Sequence, residues 1–374
     1  MATEISSPSL RNEAFYVSSW IHRLGGLIAN HPKLSIRLGN LESSYLSDQL
    51  APIRIDRPIY ITGLARAGTT ILLDIVASCD GIATHRYRDF PPIFTPFAWN
   101  WWLEHIPLKE SPPTERAHSD GIFVTPESPE AMEEMLWMAF FPQLHNPAQS
   151  NVLDASVANQ AFETFYRDHL KKLILTRHGR RYASKDNYHI TRLEYLHKLF
   201  PDVRFVIPIR HPAAHIASLI KEHRLFIEAH RRHPRALTHF QRVGHFEFGA
   251  DLRPINVGDT ARVCEIQALW NSGDEVRGWA RYWAMIYGFA IDRLDANPAL
   301  RGASLVMRFE ELCANPQSAL TRLCEHCGLD GADAIARHAE RLHTPTYYQA
   351  KFSAGELASI DEETRSVRQR FGYE

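Results

Sequence analysis

The sequence predicts an α/β fold: a P-loop-like open parallel sheet with helices on both faces, and helical and loop insertions laid over it as a lid. Three observations carry this expectation. Short apolar runs bounded by Gly and Pro alternate with segments of helical spacing, the order that builds parallel sheets. The run "DVRFVIPIR" (202–210) is apolar without alternation, as a central strand buried on both faces must be. The stretch "ITGLARAGTTIL" (61–72) sets Gly63 and Gly68 at the spacing of a phosphate-binding loop, with Thr69 where that pattern places its lysine.

The elements follow in order. "RPIYITG", opened by Pro58 and closed by Gly63, reads as a buried strand. "TTILLDIVASC" continues at helical spacing, so the glycine loop joins a strand to a helix. "ESPEAMEEMLWMAFF" reads as a helix with Ser128 as N-cap and Pro129 in its first turn. "RYASK" is a second strand, followed by a helix over "TRLEYLHKLF". The 202–210 strand runs into the helix "HPAAHIASLIKEHRLF", with Pro212 near its start. "GASLVMRFEEL" and "PQSALTRLCEHCGL" repeat the strand-then-helix order. Two regions break it: residues 90–127, rich in Pro and Trp, and residues 223–260, rich in His and Arg. Insertions of this size serve more often as lids or binding surfaces than as bare loops. The second also reads as a solvated basic helical hairpin. The whole reads as one domain over 1–374 with a core of about 58–361.

Composition narrows the partners. The 374 residues are 45% hydrophobic and 23% charged, with a net charge of −1. Bulk electrostatics therefore offer no attraction to nucleic acid or an anionic membrane, and any bound anion needs a local site. "MATEISSPSL" lacks the basic run and apolar core of a signal peptide, and no apolar stretch is long enough for an integral membrane segment. Five scattered cysteines, Cys79, Cys264, Cys313, Cys324 and Cys327, fit reduced thiols in a cytoplasmic protein. "CEHC" lacks a second ligand pair at zinc spacing, so buried cysteines are expected there and no metal site.

The loop is equipped for an anion. Its backbone N–H groups and the positive helix end point at one site, Thr69 and Thr70 add hydroxyls, and Arg66 adds a fixed charge. A magnesium-dependent nucleotide hydrolase would carry a carboxylate at the end of a neighbouring strand. The strand "FVIPI" ends instead in Arg210, and Ser218 follows two turns into the next helix. Cation and hydroxyl make a second anion pocket over the crevice where open α/β sheets bind ligands. Two phosphate pockets suit a nucleotide phosphorylated on both sides of its ribose.

At this point the residues resemble a known family. "TGLARAGTT" resembles the 5′-phosphosulfate loop of the sulfotransferases that use 3′-phosphoadenosine 5′-phosphosulfate (PAPS), in particular their bacterial branch. "RFVIPIRHPAAHIAS" is similar to their 3′-phosphate motif, and "YASKDNYHI" to their lysine-then-histidine segment. "MRFEELCANPQSALTRLCEHCGL" and "KFSAGELASIDEE" resemble later elements, so the likeness spans about Pro58 to Asp361. Ala65 and Ala67 stand where proline and serine are more usual, and Lys185 to His189 is longer than the usual lysine–histidine spacing.

The resemblance implies transfer of a sulfuryl group from PAPS to a hydroxyl or amine of a small molecule, leaving PAP, with no metal. It implies nucleotide contacts from Arg66, Ala67, Gly68, Thr69, Thr70, Arg210 and Ser218. Arg66 and Lys185 would stabilise the leaving group. His189 is the first choice of general base, with Asp89 second and His85 and Glu130 in reserve. Trp99–Trp102 would suit an apolar acceptor or simple lid packing. A P-loop kinase or NTPase, and a non-catalytic PAP-binding module, are the competing readings. The acceptor and a homo-oligomeric state are left open.

Overall fold

A computed structural model describes residues 15–106, 112–116, 123–343 and 351–374. Parts of the 90–127 insertion (107–111 and 117–122), the first fourteen residues and 344–350 lie outside the described residues. The strands, in chain order, are β1 (Ile59–Ile61), β2 (Ile82–Ala83), β3 (Thr114–Glu115), β4 (Phe123–Val124), β5 (Arg181–Lys185), β6 (Arg204–Ile209) and β7 (Ser304–Arg308). Five of them form one parallel sheet in the order β2-β5-β1-β6-β7, while β3 and β4 pair apart from it. The expected α/β fold with a parallel central sheet flanked by helices is therefore the observed one.

Side-chain alternation sorts the sheet into two cores. Tyr60, Tyr182, Phe205, Ile207 and Ile209 face one cluster, closed by Trp137, Phe162, Tyr166, Trp279 and Trp283. Ile59, Ile61, Ala183, Val206 and Met307 face the other, closed by Leu72, Leu73, Ile75 and Val76 of the Thr69–Ala77 helix and by Leu320 and Leu323. Burying both faces is what requires unbroken apolar strands. Cys324 and Cys327 belong to this second cluster.

Register brings three loops to one edge. β1 lies between β5 and β6, with Ile61 opposite Lys185 on one side and Val206 on the other. The chain therefore leaves β1, β5 and β6 at one edge of the sheet, through Gly63, Lys185 and Arg210.

Two expectations change. The helix predicted from Ser128 begins at Glu134 instead. Ser128 Oγ accepts from Thr125 N–H at 3.0 Å, Pro129 bridges to Arg86, and Glu130 N–H donates to His85 O at 3.0 Å. These bonds close a turn at Ser128 and bridge Pro129 to Arg86, in place of a helix start. The 223–260 insertion is helical, extending the Pro212–Arg232 helix into a second one over Pro234–Val243, but it is more than a solvated hairpin. Phe226, His230, Phe246 and Phe248 are buried in it.

Candidate active site

The loop after β1 is shaped by close approach. Gly63, at φ 155°, lies so near Pro208 O that a Cβ would come within 2.9 Å of it. Gly68, at φ 99°, caps the Thr69–Ala77 helix and leaves no room for a Cβ against Phe309. Between them Arg66 is itself left-handed, at φ 71°. A non-glycine residue held there costs about 1–3 kcal/mol, a strain that clusters at ligand-binding positions.

One face of the Pro212–Arg232 helix is turned to this loop through His215, Ser218 and Glu222, spaced three and four apart. His215 is fully buried. Its Nε2 donates to Ala65 O at 2.8 Å, while Nδ1 accepts from Trp283 Nε1 at 3.2 Å. Burial pushes its pKa down to about 3, so it is neutral and pins the loop carbonyl as a donor. Arg66 Nε reaches Ser218 Oγ at 3.4 Å and Glu222 Oε2 at 3.7 Å. Arg210 stacks over Phe309, 5.1 Å from the ring centre. Burial apart, the charges of Arg210 and Arg66 both act to lower the His215 pKa, so both arginines lie near it. Thr70 Oγ1 accepts from Arg116 Nη1 at 3.1 Å, adding a cation at the start of the loop helix.

Lys185, 8% exposed at the end of β5, faces a set of ionisable groups. Burial alone would raise the Glu130 carboxyl. Lys185, a hydrogen bond from Tyr87 and the Ala131 N–H at 2.6 Å outweigh it and hold Glu130 below the usual carboxylate range. His245 Nδ1 lies 2.7 Å from Glu247 Oε2, and Asn187 Nδ2 donates to Glu247 Oε1 at 2.8 Å. Although both are desolvated, each favours the other's charge: His245 is raised, and Glu247 is brought down to about 2. Lys185 and Glu130 both act on His245, so the four groups form one electrostatic cluster.

The structure does not bring His189 or Asp89 to an open position. His189 is fully buried, and its Nε2 donates to Glu133 Oε2 at 2.8 Å. Tyr60 and Trp137 pack edge-on against its ring. Glu133 also accepts from Tyr166 and Tyr182, so this is a hydrogen-bonded core network. Burial, against the pull of Glu133, leaves His189 below its ordinary pKa. Asp89 is fully buried too. It accepts from Arg177 Nη2 at 2.5 Å, Asn100 Nδ2 at 2.9 Å and the Arg86 N–H at 2.8 Å. These partners and His85 overcome burial and hold its pKa well below normal. His85 is spent between Asp89 and His169. Trp99 and Trp102 stack 4.8 Å apart, with Trp99 Nε1 on Arg88 O at 2.7 Å; Trp101 and Trp102 are exposed.

His215, Glu222, His245 and Glu247 were not expected at the site. The 215-218-222 spacing around Ser218 was a readable signal for the first two. Nothing local marks His245 among 20 histidines.

A glycine loop ahead of a helix, an arginine–serine pair beside it and a strand-end lysine thus lie at one edge of a parallel α/β sheet. Residues 58–251, just over half the chain, match the model described as the sulfotransferase family, and the chain belongs to that family. Among solved structures, it is similar to the sulfotransferase STF9 from Mycobacterium avium, at 14% identity over 99% of this chain and 93% of that one, with a TM-score of 0.51. Another match is the sulfotransferase STF1 from Mycobacterium tuberculosis H37Rv, at 15% identity over 98% of each chain, with a TM-score of 0.45. At such identity the STF9 likeness concerns the fold alone. No curated protein matches the sequence.

Proposed function

We propose that the protein transfers the sulfuryl group of PAPS to a hydroxyl of a small molecule. The observation that carries this reading is the meeting of Arg66 with Ser218, 3.4 Å apart, in a loop clamped by His215 from the same helix. It brings Ser218 to the glycine loop, and with Arg210 at the end of β6 the two would make one cradle for both phosphates of the donor. Loop N–H groups from Ala67 to Thr70 would take the 5′-phosphosulfate, and Arg210 and Ser218 the 3′-phosphate. Residues 1–374 would act as one domain.

Lys185 and Arg66 would meet the charge that grows on the bridging oxygen as the S–O bond to PAP breaks. For the base, burial of His189 and Asp89 moves the reading to Glu130. Its carboxylate, charged beside Lys185, would take the acceptor's proton as the acceptor oxygen bonds to sulfur and PAP leaves with the electron pair. The His245–Glu247 pair would complete the wall on the insertion side.

A magnesium-dependent kinase would need carboxylates available to the metal, whereas Glu130, Glu222 and Glu247 each face a cation of the protein. Calorimetric titration separates the readings. PAP should bind in EDTA, and ADP weakly with or without Mg²⁺. Tight ADP binding that requires Mg²⁺, with no PAP binding, would overturn the proposal.

A further inference from the structure

The helices Ser19–Asn30 and Pro32–Tyr45, joined through His31, supply none of the site residues, and the second is built inside out. Its buried residues are Ser35, Gly39, Glu42 and Ser43. Leu34, Leu38, Leu41 and Tyr45, spaced four, three and four, stand outward in one narrow stripe. Local packing explains the inversion. A Cβ on Gly39 would come within 2.6 Å of the Phe165 ring, and Glu42 pairs with buried Lys172 at 3.0 Å. Small and polar residues are required inside, so the leucines face out. Leu41 is 65% and Tyr45 83% exposed. On the first helix Trp20 and Leu27, seven apart, are exposed as well, opposite buried Gly25 and Gly26. Six large apolar side chains on two consecutive helices exceed the scattered leucines of an ordinary surface.

Charge selects the occupant. From Phe15 to Asp48 the exposed charges are Arg23, Lys33, Arg37 and Asp48, three cations to one carboxylate, while Glu42 is buried on Lys172. The adjoining Pro234–Val243 helix adds Arg235, on Ser19 Oγ at 3.0 Å, and Arg242, on His22 O at 2.7 Å. Lys33 and Arg37 flank the leucine stripe directly. The chain as a whole carries a net charge of −1, so this basic rim is a local segregation that bulk charge conceals. Leucines, a tryptophan and a tyrosine bordered mainly by cations are the composition of a surface that lies in a headgroup boundary.

We propose that these two consecutive helices seat the protein on an anionic phospholipid surface. The apolar stripe enters the boundary between headgroups and acyl chains, and Arg23, Lys33 and Arg37 lie among the phosphates. The attachment is peripheral: no helix among the described residues is long and apolar enough to cross a membrane.

Co-sedimentation of the full chain with phosphatidylcholine vesicles, with and without phosphatidylglycerol, tests this. Binding should require phosphatidylglycerol and weaken at high salt. It should fall at least about tenfold in Leu38→Glu/Leu41→Glu and in Lys33→Glu/Arg37→Glu. Both pairs are exposed, so circular dichroism melts should match the parent, and PAP binding should be unchanged. Absence of vesicle binding, or binding that both double variants retain, would overturn the proposal. So would a dimer in light scattering that Leu38→Glu/Leu41→Glu dissolves without any vesicle binding; that result would assign the face to a second copy of the chain.

Discussion

Replacing Glu130 by Gln is the most direct probe of the site. The carboxylate accepts the Ala131 N–H at 2.6 Å and a hydrogen bond from Tyr87; an amide oxygen can keep the first, and the Tyr87 hydroxyl can bond to either the oxygen or the NH₂ of the amide. Only the charge and the proton-accepting capacity are lost. A positioned general base is worth about 10²–10⁴-fold, or roughly 2.7–5.5 kcal/mol of barrier. Turnover of PAPS with a supporting hydroxyl acceptor should fall by that factor, while calorimetric PAP affinity stays within about threefold, because the base contacts the acceptor rather than the nucleotide. The pH profile adds a second reading. With Glu130 held below the usual carboxylate range, log kcat/KM should show no acid limb near pH 6.5 in the parent enzyme. His189→Gln, which breaks the bond to Glu133, should lower stability and leave the turnover of folded protein near that of the parent. The reasoning fails if Glu130→Gln keeps more than about a tenth of parent activity. It also fails if an acid limb near pH 6.5 exists and disappears in His189→Gln.

Three further outcomes are expected. Arg210→Ala and Ser218→Ala should each weaken PAP by roughly 1.5–3 kcal/mol, yet change adenosine 5′-phosphosulfate binding far less; equal losses would remove them from a 3′-phosphate pocket. Glu222→Gln, which frees Arg66 from a buried carboxylate 3.7 Å away, should tighten PAP about tenfold. Weaker binding would show that Glu222 instead holds Arg66 in its gripping position. Finally, His189 is below its ordinary pKa, His215 is at about 3 and His239 at about 4, all through burial. Between those values and about 6.5 the unfolded chain binds more protons, so this stability is present above pH 6.5 and lost as the pH falls. His245, raised by Glu247, offsets only a part of it. Calorimetric Tm should therefore drop from pH 7 to pH 5, and a flat or rising Tm would contradict it.

By itself the sequence determined the sheet, the loop and the interval from Arg210 to Ser218. Strand runs such as "FVIPI" must be buried on both faces, Gly63 and Gly68 are needed where backbone and ring approach within 3 Å, and Ser218 follows Arg210 at a helical interval. Each of these is a local constraint, written in spacing. Only the tertiary structure decided what lies beyond them. Whether a histidine is core or surface depends on what packs against it, and His189 meets Glu133 from 56 residues away. Glu130 reaches Lys185 because the 128–130 segment is tied back to Thr125, Arg86 and His85 in place of the helix its pattern suggested. Arg66 meets Ser218 across 152 residues, and His245 comes to the Lys185 cluster from a later insertion. Charges that act through space leave no period along the chain, so the cluster of Lys185, Glu130, His245 and Glu247 became visible only when the chain was folded.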